Sequence, residues 1–222
     1  MTRLFVVVEG DTEQEFVKRV LAPHLHARNV WTTPIVVTTK RDRKTCQKLA
    51  RGGGHWRHWR DDIRRLLRSD TACHTTSMFD LYGLPADFPS LRELSAERDT
   101  VQRAKALETA MGQDIQDPRF IPYIQRHEFE ALVLAGLEHL NDLFVGSDTR
   151  AGLDMLRQQL RTLAPEDVND GKATAPSKRL IALIPEYNKK IHGLWVTGKV
   201  GIDSLKMRCP RFGDWVASLE AL

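Results

Sequence analysis

The chain has 222 residues, 41% hydrophobic and 28% charged, which suits one large α/β domain or a core with a small added lobe. No apolar run approaches the roughly 20 residues of a membrane-spanning helix, and the opening residues run into a short strand pattern instead of a secretory leader. Three cysteines, far apart and odd in number, suit reduced thiols in a cytoplasmic protein better than a disulfide framework or a zinc site.

The formal charge is only +4, but it is unevenly spread. Residues 40–68 carry eleven Lys or Arg against three Asp, a local balance of +8 that leaves the remainder near −4. Such a block is either a footprint for phosphates or a solvated helix face with its loop.

In chain order, residues 4–8 (Leu-Phe-Val-Val-Val) read as a strand covered on both faces, because the run is continuous and does not alternate. Thr12 with Glu15 makes a capping-box pattern, so a helix is expected from about residue 13, with Phe16, Val17, Val20, Leu21 and Leu25 on one face. Residues 34–39 read as a second strand and residues 51–54 (Arg-Gly-Gly-Gly) as a loop. Trp56, Trp59, Ile63, Leu66 and Leu67 form the apolar stripe of a helix that is basic on its other side. A third strand is expected over 75–81, a helix over 100–111, a fourth strand over 120–124 and a helix over 128–140. This β-α alternation implies a mostly parallel sheet of about four strands with helices on both faces and right-handed crossovers. From about residue 146 the pattern is helical, closing on an amphipathic helix with Phe212, Trp215, Val216 and Leu219. The expected organisation is an α/β core over residues 1–145 and a helical extension over 146–222 packed on it.

Three acidic clusters follow expected strands, at the carboxyl edge where open parallel sheets bind ligands. In Val8-Glu9-Gly10-Asp11-Thr12-Glu13, Glu9 ends the first strand and Gly10 permits a tight turn. Glu13 and Glu15 either join that site or complement the helix dipole. In Phe79-Asp80-Leu81-Tyr82-Gly83, Asp80 interrupts an apolar run and needs a cation or an arginine partner. In Arg126-His127-Glu128-Phe129-Glu130, three side chains are candidate ligands or proton carriers, or a decorated helix start.

Taken together, these residues resemble the Toprim fold shared by type IA and type II topoisomerases, bacterial primases and OLD-family nucleases. More closely, the chain resembles a bacterial Toprim-like family of unknown function, DUF forty-two seventy-six, often encoded beside an ATPase. That resemblance covers nearly the whole chain. It rests on the Glu9 to Glu13 segment, the Gly52-Gly53-Gly54 loop, Phe79-Asp80-Leu81-Tyr82-Gly83-Leu84-Pro85-x-Asp87-Phe88-Pro89 and His127-Glu128-Phe129-Glu130-Ala131-Leu132. Pro176-Ser177-Lys178-Arg179-Leu180 and Cys209-Pro210-x-Phe212-x-x-Trp215 complete it.

The resemblance implies a metal-dependent nuclease-like subunit using Mg2+ or Mn2+. Glu9 and Asp80 match the Toprim glutamate and first aspartate, and Glu13 a second glutamate of OLD-like nucleases. Tyr82 stands where a second aspartate belongs, so Asp87, Glu128 or Glu130 supplies it or metal binding is weakened. The implied metal set is Glu9, Glu13, Asp80, Glu128 and Glu130, with Glu9, Asp80, His127 and Glu128 catalytic. Lys40, Arg41, Arg43, Lys44, Arg51, Lys178 and Arg179 are the expected nucleic-acid contacts, DNA being favoured over RNA. An ATPase partner and a role in defence against foreign DNA come from the same resemblance, and a homodimer stays open. The rival reading is a non-catalytic partner of an ATPase, favoured if Trp215 is exposed.

Overall fold

A computed structural model describes residues 1–41, 48–51, 54–144, 146–168 and 174–222. Two compact units divide the chain, Met1–Gln125 (with Leu222) and Arg126–Ala221. The division falls well before residue 145 because the segment after Gln125, with Ala131, Leu132, Val133 and Leu134 all buried, packs with later helices.

The first unit holds a parallel sheet in the order β2-β1-β5-β6, from β1 (Thr2–Val8), β2 (Val30–Val36), β5 (Cys73–Asp80) and β6 (Phe120–Ile121). A further short strand, β7 (Ile124–Gln125), also runs parallel to β5. Leu4, Val6, Val7 and Val8 are all at most 1% exposed, so both faces of β1 are covered, as the unbroken apolar run requires. One face meets α3 (Trp56–Ser69) and α4 (Thr100–Ile115) in a core built on Val7, Trp59, Ile63, Phe79, Leu107 and Met111. The Trp59 and Phe79 rings lie 4.5 Å apart. A helical run of α1 (Asp11–Phe16), a π turn (Val17–Leu21) and α2 (Ala22–His26) packs on β2. This is the mostly parallel, helix-covered α/β architecture that the Toprim resemblance implies.

Several local expectations shift. The first helix starts at Asp11 with Gly10 as its cap residue, and no capping box forms. Glu15 pairs forward with Lys18 at 3.0 Å and Arg19 at 2.9 Å instead. The second strand is β2, several residues earlier than expected, and carries Pro34 opposite Val6. A proline is tolerated there because β2 ends the sheet order and its missing N–H has no ladder partner to serve. Residues beyond it form a separate antiparallel pair, β3 (Thr38–Arg41) with β4 (Lys48–Arg51).

The fourth strand is split into β6 and β7 at Pro122, which lacks an N–H. Ser77 Oγ bridges the gap, accepting from the Tyr123 N–H and donating to its carbonyl, both at 2.9 Å. Glu108 accepts the Ile124 N–H at 2.8 Å.

The second unit is helical: α5 (Glu130–Leu134), α6 (Leu140–Leu143), α7 (Ser147–Leu160), α8 (Pro176–Leu183), α9 (Leu194–Val200), α10 (Ile202–Arg208) and α11 (Pro210–Glu220). The continuous helix expected over 128–140 breaks after α5. At Gly136 a Cβ would overlap Val200 and lie 2.6 Å from Val196 Cγ1, so α9 approaches the backbone there directly. Trp215 is 4% exposed and packs edge-on against Phe212, so the last helix shows no open tryptophan face. Among the described residues no helix is long and apolar enough to cross a membrane. Cys73 and Cys209 are free and buried.

Candidate functional site

In the first unit, β1 and β5 lie side by side in register, Val8 opposite Met78. Glu9 therefore leaves β1 level with the last residues of β5. Its Oε1 accepts the Asp80 backbone N–H at 2.7 Å. The chain then turns at residues 80–83, closed by the Gly83 N–H donating to the Asp80 carbonyl at 2.9 Å. This turn folds over the Glu9 carboxylate: a Cβ on Gly83 would overlap Glu9 Oε2 and lie 3.0 Å from Cδ and Oε1. Glycine is demanded here by close approach, with no help from an unusual backbone angle. Glu13, buried in the first turn of α1, folds back so that its Oε2 would sit 3.3 Å from a Cβ on Gly10. Glu9 and Asp80 themselves are half-buried.

The strand ends thus bring Glu9 and Asp80 together, with Glu13 over Gly10 beside them. Among the described residues, however, no group of three or more His, Cys, Asp or Glu is arranged to hold a metal ion. A closed protein cage does not fit. A magnesium ion, which keeps waters and takes one or two carboxylates together with substrate phosphates, would need no such cage.

The other candidate carboxylates have different employment. Asp87 accepts the Trp56 N–H at 3.0 Å, supplying the cap that α3 lacks from its own sequence. Burial opposes ionisation of Asp87, but that amide and the facing His55 outweigh it and hold the carboxyl below its ordinary range. Glu128, in the second unit, accepts the Ser177 N–H at 3.1 Å in the first turn of α8. Two of the quoted motifs, His127-Glu128 and Pro176-Ser177, are therefore joined by a helix cap. Glu130 is 1% exposed, 3.3 Å from Lys189 Nζ, which also lies 5.7 Å from the Phe129 ring. Burial pushes the Glu130 carboxyl up, with Lys189 opposing.

His127 is buried at 1% exposure, with φ of 66°, a left-handed conformation uncommon outside glycine. Burial, assisted by the neighbouring Arg126, pulls its pKa down to about 4. The ring is neutral at pH 7.

Glu166 had no signal in the sequence. It is 2% exposed and accepts the N–H groups of Arg211 at 3.0 Å and Phe212 at 3.2 Å, capping α11 from a distance. Glu166→Ala is expected to leave two amides unserved and cost about 2–4 kcal/mol. A denaturant midpoint unchanged from wild type would show that water takes over the cap.

Basic residues divide. On α3, Arg60 approaches Asp61 and Asp114 at 3.7 and 3.8 Å, and Arg65 meets Asp62 at 3.1 Å. Arg57 and Arg68 stand exposed. Arg43, Lys44 and the Gly52-Gly53 pair lie outside the described residues. For Lys40, Arg41 and Arg51 only the backbone, in β3 and β4, is described. Lys178 is exposed on α8, whereas Arg179 bonds the Thr174 carbonyl and Gln159.

A family model described as Domain of unknown function (DUF4276) matches residues 8–220. The chain belongs to this family. The match spans both compact units, so the acidic strand ends and the capped helices are parts of one family pattern. No curated protein matches the chain. Among solved structures, the C-terminal region of the Xanthomonas campestris pv. campestris OLD protein is similar at 12% identity. That match covers 100% of this chain and 99% of that chain, with a TM-score of 0.38.

Proposed function

We propose that this DUF4276 chain is a nuclease-like subunit that acts on phosphodiesters with Mg2+ or Mn2+ held by Glu9 and Asp80. The supporting observation is the register of β1 and β5, which sets both carboxylates at neighbouring strand ends on the sheet's carboxyl edge. A hard cation bound there would polarise the phosphodiester and lower the pKa of a bound water. The chain's own part is to orient: the Asp80 amide fixes one Glu9 oxygen, and Gly83 leaves room for the other. Glu13, buried and folded back toward Gly10, is a further carboxylate on the same strand-turn-helix. His127, neutral and buried, suits a structural role better than proton transfer to solvent.

Exposed Arg57 and Arg68 on α3, and Lys178 on α8, are suited to backbone phosphates. Binding through them falls steeply with salt. DNA as ligand, an ATPase partner and defence against foreign DNA extend this reading by analogy with the Toprim resemblance.

A second reading, a non-catalytic Toprim-like partner of an ATPase, is favoured by two observations. No three-carboxylate group forms among the described residues, and Tyr82 occupies the second aspartate's place.

Calorimetric titration with Mg2+ and Mn2+ separates the two. Wild type is expected to bind, and Glu9→Gln and Asp80→Asn are each expected to lose binding and metal-dependent cleavage while keeping their circular dichroism. A folded wild type that takes up neither ion would sink the nuclease reading and leave the interaction module standing.

A further inference from the structure

The second unit contains a groove of about 390 Å³ unconnected with any of the acidic residues considered for metal. Its floor is apolar: Leu134, Ala135 and Leu137 lie beneath, with Leu160, Leu163 and Pro165 alongside. Leu163, in the groove lining, is 47% exposed and adds apolar surface open to a ligand. Three guanidinium groups, Arg157, Arg161 and Arg208, line the same groove against a single carboxylate, Glu138.

The states of these arginines decide what the groove suits. Arg208 is anchored, donating to the Ala135 carbonyl and to Glu138 Oε1 at 2.7 Å, so the one acidic group is already neutralised. Burial opposes ionisation of Glu138, but Arg208 and the local backbone outweigh it and keep the carboxyl below its ordinary range. Arg157 uses one nitrogen on Asp154 at 2.6 Å, leaving further donors open. The Arg161 guanidinium has no ion-pair or hydrogen-bond partner among the described residues, and the residue is exposed in the groove lining. Concave apolar sites with a few convergent polar groups are the usual form of small-molecule pockets, and this volume is at the low end of their range.

We propose that this groove binds a small amphipathic anion, a short alkyl or acyl chain ending in a phosphate or carboxylate. The chain lies on Leu134, Leu137 and Leu160, and the head is met by Arg161 with the spare donors of Arg157. A neutral chain gains only the apolar contact, and a bare anion only the charge. Charge-assisted bonds to the head supply the discrimination.

The test is calorimetric titration of the full-length protein with octyl phosphate, octanoate and, as the neutral counterpart, octanol. The two anions distinguish a phosphate from a carboxylate head. Arg161→Glu is expected to weaken the preferred anion by about tenfold or more. Arg150→Glu, which reverses an exposed cation on α7 outside the groove, is expected to change nothing. Circular dichroism confirms that each variant is folded. No saturable binding by wild type up to about 1 mM would overturn the proposal. So would octanol binding as tightly as the anions, or equal losses from the two reversals. Because neither Glu9 nor Asp80 takes part, the outcome is independent of the proposed metal chemistry.

Discussion

Lowering the pH from 7 to 4 is expected to remove about 3 kcal/mol of stability through His127 alone. In the unfolded chain this imidazole takes up its proton near 6.5, while in the folded protein burial delays uptake to about 4. Between those values the unfolded state binds more protons, so stability falls as pH falls. The loss begins near pH 6.5, grows through the interval and levels off below about 4. Glu130 and Glu166 act in the opposite sense. Burial raises both carboxyls, so the folded state binds their protons first and is favoured by acid. The His127 contribution must therefore be read as a difference. His127→Asn removes the titration and keeps a residue that tolerates φ of 66°. Between pH 7 and 4 wild type is expected to lose about 3 kcal/mol of urea-derived stability relative to this variant. Parallel curves would mean the ring reaches solvent easily and its pKa is not displaced.

The second large effect concerns Gly83. Alanine there puts a Cβ into the space of the Glu9 carboxylate, and the carboxylate is the movable partner. Moving it breaks the bond to the Asp80 N–H, a charge-assisted bond at a half-buried site. The expected cost is about 1.5–3 kcal/mol. If Glu9 and Asp80 hold a cation, the same substitution also loses metal binding, because it displaces the Glu9 carboxylate. Gly10→Ala provides the contrast: its Cβ meets only the Glu13 carboxylate, at 3.3 Å, so a loss of less than about 0.5 kcal/mol is expected. Denaturation midpoints of the two variants, with and without Mn2+, provide the measurement. Equal effects at both glycines would show that the turn over Glu9 relaxes freely.

These two substitutions, together with the capping of α8 and α11, change the weight given to the acidic motifs. Conspicuous carboxylates are easily read as ligands, because a charge near a strand end needs a partner. A backbone amide at the start of a helix is such a partner, and Asp87, Glu128 and Glu166 each serve one. Glu9 also accepts a backbone amide, that of Asp80, and the proposed metal chemistry rests on this pair alone.

How much was legible in the sequence follows from the range of the forces involved. β1 was visible as an apolar, β-branched run because a strand buried on both faces leaves no room for alternation, whereas β5 mixes buried Thr75, Thr76 and Ser77 with Met78 and Phe79. The Trp56, Trp59, Ile63 and Leu67 spacing marked α3 because one helix face alone must be buried. Both strand-end carboxylates were legible as well: Glu9 stands where an apolar run stops, and Asp80 interrupts one. The start of α1, the position of β2 and the split at Pro122 were not, since each is settled by neighbours in space. A ladder edge tolerates Pro34, and Ser77 supplies bonds that a proline cannot.

What tertiary structure alone decided is which amide each carboxylate serves. Glu9 meets a residue 71 positions away, Glu128 one 49 away, Glu166 one 45 away and Asp87 one 31 away. Local pattern records that a charge will need a partner, because desolvation makes the need unavoidable. It holds no record of the partner's identity, which is fixed only when the sheet register and helix packing bring distant backbone within hydrogen-bonding reach.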